Sequence, residues 1–235
     1  MVASSSTICN IGSSSIPVLT IDGPSGSGKG TIGQFCANQL GWNYLDSGAI
    51  YRSLAWVAND LNIEAEDVDR LVQLANSLDL VCHIRLNDAA QIEVNGQMIT
   101  EQLRTEEVAV MASKIAPLAP IRTALLALQH RCRKAPGLVT DGRDMGSEVF
   151  PDAQFKVFLT ASAEVRAQRR FNQLKRKGFD ASIARLLESI QERDARDAGR
   201  AVSPLIAADG AVIIDTSELS IDQVNDRVLN LVKNS

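Results

Sequence analysis

A glycine-rich run near the amino terminus has the composition and spacing of a phosphate-binding loop. Residues 23–31 read GPSGSGKGT, in which Gly23, Gly28 and Lys29 satisfy the pattern GxxxxGK. The glycines allow the backbone to curl so that successive N–H groups face one concavity, and a helix that begins there adds about half a positive charge. Lys29 adds a cation for the outer phosphates. The run therefore predicts a site for a nucleoside triphosphate.

The residue after the lysine departs from the general pattern, which places serine or threonine there. Gly30 intervenes before Thr31, so the spacing does not identify an oxygen that would coordinate Mg²⁺. A glycine-rich turn without function is the alternative interpretation. The run lies directly after an apolar strand-like segment and directly before a helical pattern, and this context favours phosphate binding.

Positive charge is concentrated late in the chain. Residues 164–200 contain ten Lys or Arg and six Asp or Glu, whereas the whole chain has a net charge of −4. Helical spacing places two sets of arginines each on one face: Arg166, Arg169 and Arg170, and Arg193, Arg196 and Arg200. These faces predict a lid that closes over phosphates and excludes water. The alternative is a solvated helix whose arginines pair with Glu192, Asp194 and Asp197.

Two short fragments carry aspartate and arginine directly after predicted strands. The first is DSGAIYR, from Asp46 to Arg52, and the second is DGRDMG, from Asp141 to Gly146. Ligands of open α/β sheets bind outside the carboxyl ends of the strands, so both fragments should meet at the phosphate loop. Arg52 and Arg143 can each donate two parallel N–H bonds to a phosphate, which predicts an acceptor site. Asp–Arg pairs that only fasten the loops are the alternative.

The elements around these residues are expected to alternate between strand and helix. Short apolar runs predict strands at 16–21, 42–45, 138–140, 154–160 and 211–215. Helical patterns occur at 32–40 (closed by Gly41), 49–59, 162–177 and 182–198, and a last helix begins at a capping box of Ser220 and Gln223. This alternation predicts an α/β fold, with a P-loop NTPase-type parallel sheet flanked by helices.

The middle of the chain changes character. Strand-like pieces at 79–86 and 91–99 are separated by Asn87-Asp88, and Asn95-Gly96 between strand formers is a strong hairpin signal. They predict a small inserted domain of antiparallel strands at 64–114. The core then comprises 16–63 and 115–235, with the basic lid at about 164–200. Residues 1–15 are rich in serine and predict a disordered tail.

Composition excludes several classes of protein. Apolar residues make up 45% and charged residues 22% of the 235 residues, which suits one globular domain with a small insertion. The net charge of −4 argues against general binding to nucleic acid or an anionic membrane. No apolar run approaches the roughly 18–20 residues of a spanning helix. The four cysteines are widely spaced, which predicts free thiols in a reducing compartment and hence a cytoplasmic protein.

Together these motifs resemble the bacterial-type cytidylate kinases, a family of P-loop nucleoside monophosphate kinases. The resemblance runs from about residue 17 to the carboxyl terminus and is carried by IDGPSGSGKGT, LDSGAIYR, DGRDMG and ERDARDAGRAVSPL. The Lys-Gly-Thr ending is normal in this family, and the inserted hairpin region matches its monophosphate-binding domain. The resemblance implies that ATP, with Mg²⁺, phosphorylates CMP and dCMP to CDP and dCDP.

The resemblance also implies roles for individual residues. ATP would be bound by Gly23, Pro24, Ser25, Gly26, Ser27, Gly28, Lys29, Gly30 and Thr31, with Arg169 and Arg170 in the lid. CMP would be bound at the base by Ser113, Arg122 and Asp144, at the ribose by Ser47, Arg193 and Asp197, and at the phosphate by Arg52, Arg143 and Arg200. The residues implied in catalysis are Lys29, Arg143 and Arg200. Ala195 and Ala198 stand where more charge is expected, which would soften the lid.

Two other functions fit parts of the sequence. Another nucleoside monophosphate or small-metabolite kinase, of adenylate or shikimate type, is the nearest alternative. A P-loop module that binds nucleotide without transferring phosphate would leave Arg52, Arg143 and Arg200 without a role. We expect a monomer that acts on small molecules, without nucleic-acid or membrane partners.

Five side chains are expected to be structural rather than functional. A nucleic-acid site in the late basic segment would need aromatic side chains for stacking, and only Phe171 and Phe179 occur there. We expect both in the core. His83 and His130 stand alone in the sequence and are also expected to be structural, and Cys36 is expected to fill the interface between sheet and helix.

Overall fold

Parallel strands form the central sheet of the computed structural model, which describes residues 16–83, 91–176, 178–199 and 203–234. The strand order in this sheet is β2 (Asn43–Asp46), β6 (Leu138–Gly142), β1 (Val18–Asp22), β7 (Phe155–Thr160) and β8 (Val212–Asp215). All four pairings are parallel. The two strands β1 and β6 are buried along their whole length, as inner strands of a parallel sheet covered on both faces must be.

Helices connect these strands and cover the sheet. They are α1 (Lys29–Leu40), α2 (Ser47–Asp60), α3 (Val68–Ser77), α4 (Glu106–Ile115), α5 (Ala119–Arg131), α6 (Ala163–Arg176), α7 (Ile183–Ala198) and α8 (Ile221–Lys233). Helix α1 ends at Gly41, whose φ of 65° is left-handed, and the predicted capping box of Ser220 and Gln223 begins α8. Every predicted element of the core is present, with ends that lie within three residues of the prediction.

The predicted antiparallel strands form a second sheet. Its order is β3 (Leu80–His83), β4 (Gln91–Val94) and β5 (Gln97–Met98), and a 3₁₀ turn follows at Gln102–Arg104. Asn95 and Gly96 have φ of 49° and 81°, so the Asn-Gly signal does mark a hairpin with left-handed turn residues. The predicted turn at 87–88 lies outside the described residues.

Two apolar clusters stabilise the fold. One contains Leu19, Ile32, Cys36 and Val228 and lies between the central sheet and helices α1 and α8, so Cys36 fills the sheet–helix interface as expected. The other joins α2 and α5 to α3, α4 and β4 through residues such as Leu54, Leu71, Ile92, Val108 and Leu125. Because the predicted insertion at 64–114 shares this core with α2 and α5, its separation as a domain stays a prediction.

The expectation that Phe179 packs in the core is wrong. Phe179 is 62% exposed in the connection between α6 and α7, and Phe171 is only half-buried. Helices α6 and α7 pack chiefly against each other, and the connection between them leaves Phe179 at the surface. His130 does have a structural contact, since its Nε2 lies 2.7 Å from the Val149 carbonyl oxygen.

No single helix in the described ranges is long and apolar enough to span a membrane. Helices α4 and α5 have sufficient length and apolar composition only when they are taken together, and a bend of 105° separates them. Cys36 and Cys132 are free thiols. The side chains of Cys82 and His83, and the predicted tail at 1–15, lie outside what the structure describes.

Candidate active site

The carboxyl ends of β1, β2 and β6 meet at one edge of the central sheet. In the strand register Asp22 lies beside Gly142, and Asp46 lies beside Asp141. The phosphate loop and the two Asp–Arg fragments are therefore brought together, as predicted. They enclose a cavity of about 300 Å³, whose charged lining residues are Lys29, Arg52, Arg143, Arg193, Asp46 and Asp141.

The glycine-rich run forms the loop between β1 and α1. Gly23, Gly26 and Gly28 have φ of 146°, 80° and 99°, which residues with a side chain rarely adopt. A Cβ atom at Gly23 would lie 2.0 Å from the carbonyl oxygen of Leu159. Of the residues assigned to ATP, Ser25, Gly26, Gly28, Lys29, Gly30 and Thr31 line the cavity. Gly23, Pro24 and Ser27 support the loop from outside that lining.

Lys29 is held against the loop that precedes it. The residue is only 8% exposed, and its Nζ donates a hydrogen bond to the carbonyl oxygen of Pro24 at 2.7 Å. Burial and the neighbouring Arg143 guanidinium lower the pKa of Lys29 to about 8, although Asp141 and Asp22 act in the opposite direction. The loop thus presents a lysine whose charge is sensitive to its surroundings.

Asp46 positions the start of α2 and orients Arg52. Its Oδ1 accepts a hydrogen bond from the Ala49 amide at 3.0 Å, and its Oδ2 accepts one from Arg52 Nη2 at 2.9 Å. Gly48 leaves room for this pair, because a Cβ atom there would lie 3.0 Å from Asp46 Oδ1. Ser47, assigned to the ribose, is buried at the first position of α2.

Arg143 is anchored to α7 and still has hydrogen-bonding capacity. Its Nε donates to the carboxylate of Asp197, which is 1% exposed. Its Nη2 is buried without a hydrogen-bond partner among the described residues. An unsatisfied buried donor costs about 1–3 kcal/mol, and a bound anion would supply the missing acceptor.

Two of the three residues assigned to cytosine, Arg122 and Asp144, form an ion pair next to the cavity. Arg122 Nη2 donates to Asp144, and Arg122 Nη1 donates to the Tyr51 hydroxyl at 3.3 Å and the Ala116 carbonyl at 3.4 Å. The side chains of Arg122 and Asp144 are 14% and 9% exposed. Ser113 is half-buried on α4, three residues before Ala116. Helices α2, α4 and α5 thus converge on Arg122.

The late arginines divide between the phosphate loop and the rest of the protein. Arg193 lines the cavity, and its Nη1 donates to Ser25 Oγ at 3.4 Å. Arg169 instead donates to Thr216 Oγ1 at 3.0 Å and to its carbonyl oxygen at 2.6 Å, and Arg170 is exposed beside Gln173. Neither Arg169 nor Arg170 lines the cavity. Arg200 lies outside the described residues.

Arg166 was identified in the sequence only as part of a basic face. In the structure it is buried and donates a pair of hydrogen bonds to Asp194, at 3.0 and 2.5 Å, and one to the Ser25 carbonyl at 3.2 Å. The pairing with Asp194 that the alternative interpretation named is therefore present for Arg166, but this arginine is buried rather than solvated. The pair ties α6 and α7 to the phosphate loop.

Three buried side chains at or beside the cavity had no individual role predicted from the sequence: Asp22, Asp141 and Tyr44. Burial raises the pKa of Asp22 to about 6, and burial together with Asp46 raises that of Asp141 to about 7. Tyr44 donates its hydroxyl to Asp141 Oδ1, and burial raises its pKa well above the usual value. For Asp22 and Asp141 the sequence signal was an acidic residue near the end of a mostly apolar strand, whereas Tyr44, within β2, had no such signal.

Comparison with known proteins places this chain in a family. The cytidylate kinase family model matches residues 19–234. A cytidylate kinase of Methylococcus capsulatus is 55% identical over 218 residues, which are 93% of this chain and 97% of that protein. Another, from Colwellia psychrerythraea, is 51% identical over 92% of this chain and 95% of that protein. A solved shikimate kinase from Bacteroides thetaiotaomicron has a TM-score of 0.45 and 15% identity over 92% of this chain and 98% of that chain, which is too distant to indicate function. On the family match and these identities, the chain belongs to the cytidylate kinase family.

Proposed function

We propose that the chain transfers the terminal phosphoryl group of ATP to CMP and dCMP, giving ADP with CDP or dCDP. The convergence of Lys29, Arg52, Arg143 and Arg193 on one cavity supports this proposal most directly. Two carboxylates line the same cavity, so the cations exceed the anions there. Such an excess of positive charge at the ends of parallel strands suits the triphosphate of ATP and the phosphate of CMP, two anionic groups that must approach each other.

The donor would lie on the phosphate loop. Its backbone N–H groups and the amino terminus of α1 attract phosphate oxygens, and Lys29 would follow the phosphoryl group as it moves. Mg²⁺ that arrives with ATP would neutralise charge on the phosphates. Thr31 offers an exposed hydroxyl at the cavity, whereas no cluster of three His, Cys, Asp or Glu in the described part of the chain could hold a metal by itself. The residues therefore fit an ion carried largely by the nucleotide.

The acceptor phosphate would lie between Arg52 and Arg143, with Arg200 completing the site. Asp46 orients Arg52, and Asp197 orients Arg143. The unpartnered Nη2 of Arg143 supplies a donor that a phosphate oxygen would satisfy. Ser47, Arg193 and Asp197 are proposed to bind the ribose.

The Arg122–Asp144 pair would recognise the base, together with Ser113. Asp144 can accept a hydrogen bond from the exocyclic amine of cytosine, while Arg122 and Ser113 can donate to its ring nitrogen and carbonyl oxygen. Uracil presents a carbonyl where cytosine has the amine, so it would be repelled by the Asp144 carboxylate. One such mismatch costs about 1–3 kcal/mol, which corresponds to roughly tenfold or more in kcat/KM.

The reaction needs no side chain as nucleophile or strong base. An oxygen of the CMP phosphate, already an anion, attacks the γ-phosphorus, and the bond to the bridging oxygen of ADP breaks. Positioning and charge neutralisation would therefore provide most of the rate enhancement. We propose that the inserted region at 64–114 holds the acceptor. We propose further that the segment at 164–200, with Arg169 and Arg170, closes as a lid over ATP.

A panel of acceptors tests the proposal. Formation of ADP from ATP and Mg²⁺ would be followed by a coupled assay with CMP, dCMP, UMP, AMP, GMP and shikimate. We expect CMP and dCMP to give kcat/KM values at least tenfold above every other acceptor. A higher value with AMP or shikimate would indicate a different kinase, and ADP formation that is independent of any acceptor would indicate a module without transfer.

A further inference from the structure

Asp22 holds the loop that follows β6 through both of its carboxylate oxygens. Oδ1 accepts a hydrogen bond from the Met145 amide at 2.9 Å, and Oδ2 accepts one from the Gly146 amide at 2.8 Å. Asp22 is 3% exposed and is not part of the cavity lining. Its carboxylate therefore serves the protein backbone rather than the space where the nucleotides would lie.

Met145 and Gly146, whose amides donate to Asp22, lie at the start of a short π-helical turn, Met145–Val149. The later amides of this turn bond within it, since Glu148 and Val149 both donate to the Asp144 carbonyl. The first amides of a helical turn have no such partner. Asp22 supplies the missing acceptors from 123 residues away along the chain.

The dipeptide Arg143–Asp144 is consequently fixed at both ends by Asp22. On one side, Gly142 is the last residue of β6 and pairs with Asp22 in the sheet. On the other side, Met145 and Gly146 are held by the Asp22 carboxylate. Gly146 also sits tightly on β1, because a Cβ atom there would lie 2.8 Å from Thr20 Oγ1. The backbone between these points carries the proposed phosphate ligand and the proposed base ligand.

Only an ionised carboxylate suits this position well. An asparagine offers one acceptor oxygen, and its amide nitrogen would face the second backbone N–H group as a competing donor. Two charged groups lie near Asp22: Asp144 opposes its ionisation, and Lys29 favours it. Burying an ionised carboxylate costs free energy, but the two oxygens of Asp22 are placed to accept both amides of the loop.

We propose that Asp22 is a positioning residue for base selection: by tethering Arg143–Asp144 at both ends, it sets the discrimination between CMP and UMP without contacting either nucleotide. This role rests on the proposed function. It adds to that function a determinant of selectivity on β1, the strand that leads into the ATP loop.

The test is the variant Asp22→Asn, with kcat and KM measured for CMP, UMP and ATP. We expect the ratio of kcat/KM for CMP over UMP to fall at least tenfold, mainly through a higher KM for CMP. KM for ATP should change less than threefold. Thr20→Val is the matched control, because Thr20 is a buried polar side chain under the same loop that holds neither amide, and it should leave the ratio unchanged.

Other roles for Asp22 give different results. If it acted through the charge of Lys29, CMP and UMP would lose activity equally and KM for ATP would rise, which would overturn the inference. If it only stabilised the fold, the melting temperature and active fraction would fall at an unchanged CMP/UMP ratio, and this would also overturn it.

A second variant covers the case in which Asp22→Asn does not fold. Gly146→Ala pushes the same loop away from β1 and Asp22, so it should lower the CMP/UMP ratio too, and an unchanged ratio would contradict the tether. Failure of the proposed function is distinguishable, because the unaltered chain would then show no preference for CMP at all.

Discussion

Arg143 donates from Nε to the carboxylate of Asp197, and this buried ion pair joins the loop after β6 to helix α7. Asp197 holds the guanidinium in one orientation, while Nη2 of the same arginine is left without a partner in the described structure. A proposed phosphate ligand is thus oriented before any substrate binds, which lowers the entropy that binding must lose.

Removing the charge of Asp197 should weaken acceptor binding. Asp197→Asn keeps the shape of the side chain but leaves Arg143 without its counter-ion, and breaking a buried pair in this way is strongly unfavourable. We expect KM for CMP to rise about tenfold or more, which is about 1.4 kcal/mol per factor of ten, while KM for ATP changes little. Steady-state kinetics with each substrate varied in turn provide the measurement. An equal rise in both KM values would argue against an acceptor-side role.

Asp144 is expected to determine the preference for cytosine. Asp144→Ala removes the acceptor for the exocyclic amine and takes the ion-pair partner from Arg122. We therefore expect kcat/KM for CMP to fall by roughly 10–100-fold, in line with about 1–3 kcal/mol for a lost buried partner. Activity with UMP should change less. Asp152→Ala is a matched control, because Asp152 is 61% exposed and pairs with Arg133 at the surface, where such pairs contribute little. An unchanged CMP/UMP ratio in Asp144→Ala would count against the base assignment.

Lys29 should be needed for turnover rather than for folding. In Lys29→Ala the phosphoryl group loses the cation that would accompany it, and kcat with CMP is expected to fall by about 10²–10³-fold, the range seen when one charge-stabilising donor is removed. Circular dichroism and thermal melting should show a folded protein. Lys233→Ala, at the exposed end of α8, controls for the loss of a lysine. Near-normal turnover of Lys29→Ala would reject the assigned role.

The pH dependence of ATP use should report on the same lysine. A lysine ordinarily keeps its proton to about 10.5, but burial and Arg143 lower the pKa of Lys29 to about 8. Because the lowered pKa means that the charge is lost as pH rises through 8, kcat/KM for ATP should decline on that basic limb. Rates measured between pH 6 and 10 test this. Lys29→Arg, which remains charged, should lack the decline, and a flat profile in the unaltered chain would contradict the prediction.

Local signals in the sequence were sufficient for most elements and for the phosphate loop. The turn at Asn95-Gly96, the capping box of Ser220 and Gln223, and the glycine at position 41 each depend on residue types within a few positions. The phosphate loop was likewise predicted from residue types within a few positions, those of the glycine run at 23–31. Each of these signals depends only on residues a few positions apart, so it can be identified from the sequence alone.

The hydrogen-bond and ion-pair partners of individual arginines could not be predicted from local sequence. Arg166, Arg169 and Arg193 have similar sequence surroundings. Arg166 nevertheless pairs with Asp194, and Arg169 donates to Thr216. Arg193 instead donates to Ser25 at the cavity. The exposure of Phe179 depended likewise on how α6 and α7 pack.

The sequence by itself determined the fold class, the phosphate loop and the family resemblance, because short-range spacing encodes all three. The tertiary structure alone decided that the carboxylate of Asp22 holds Met145 and Gly146 and that Tyr44 donates to Asp141. These contacts join residues about one hundred positions apart. Which donor meets which acceptor is set only when the strands pair in register and bury both groups together.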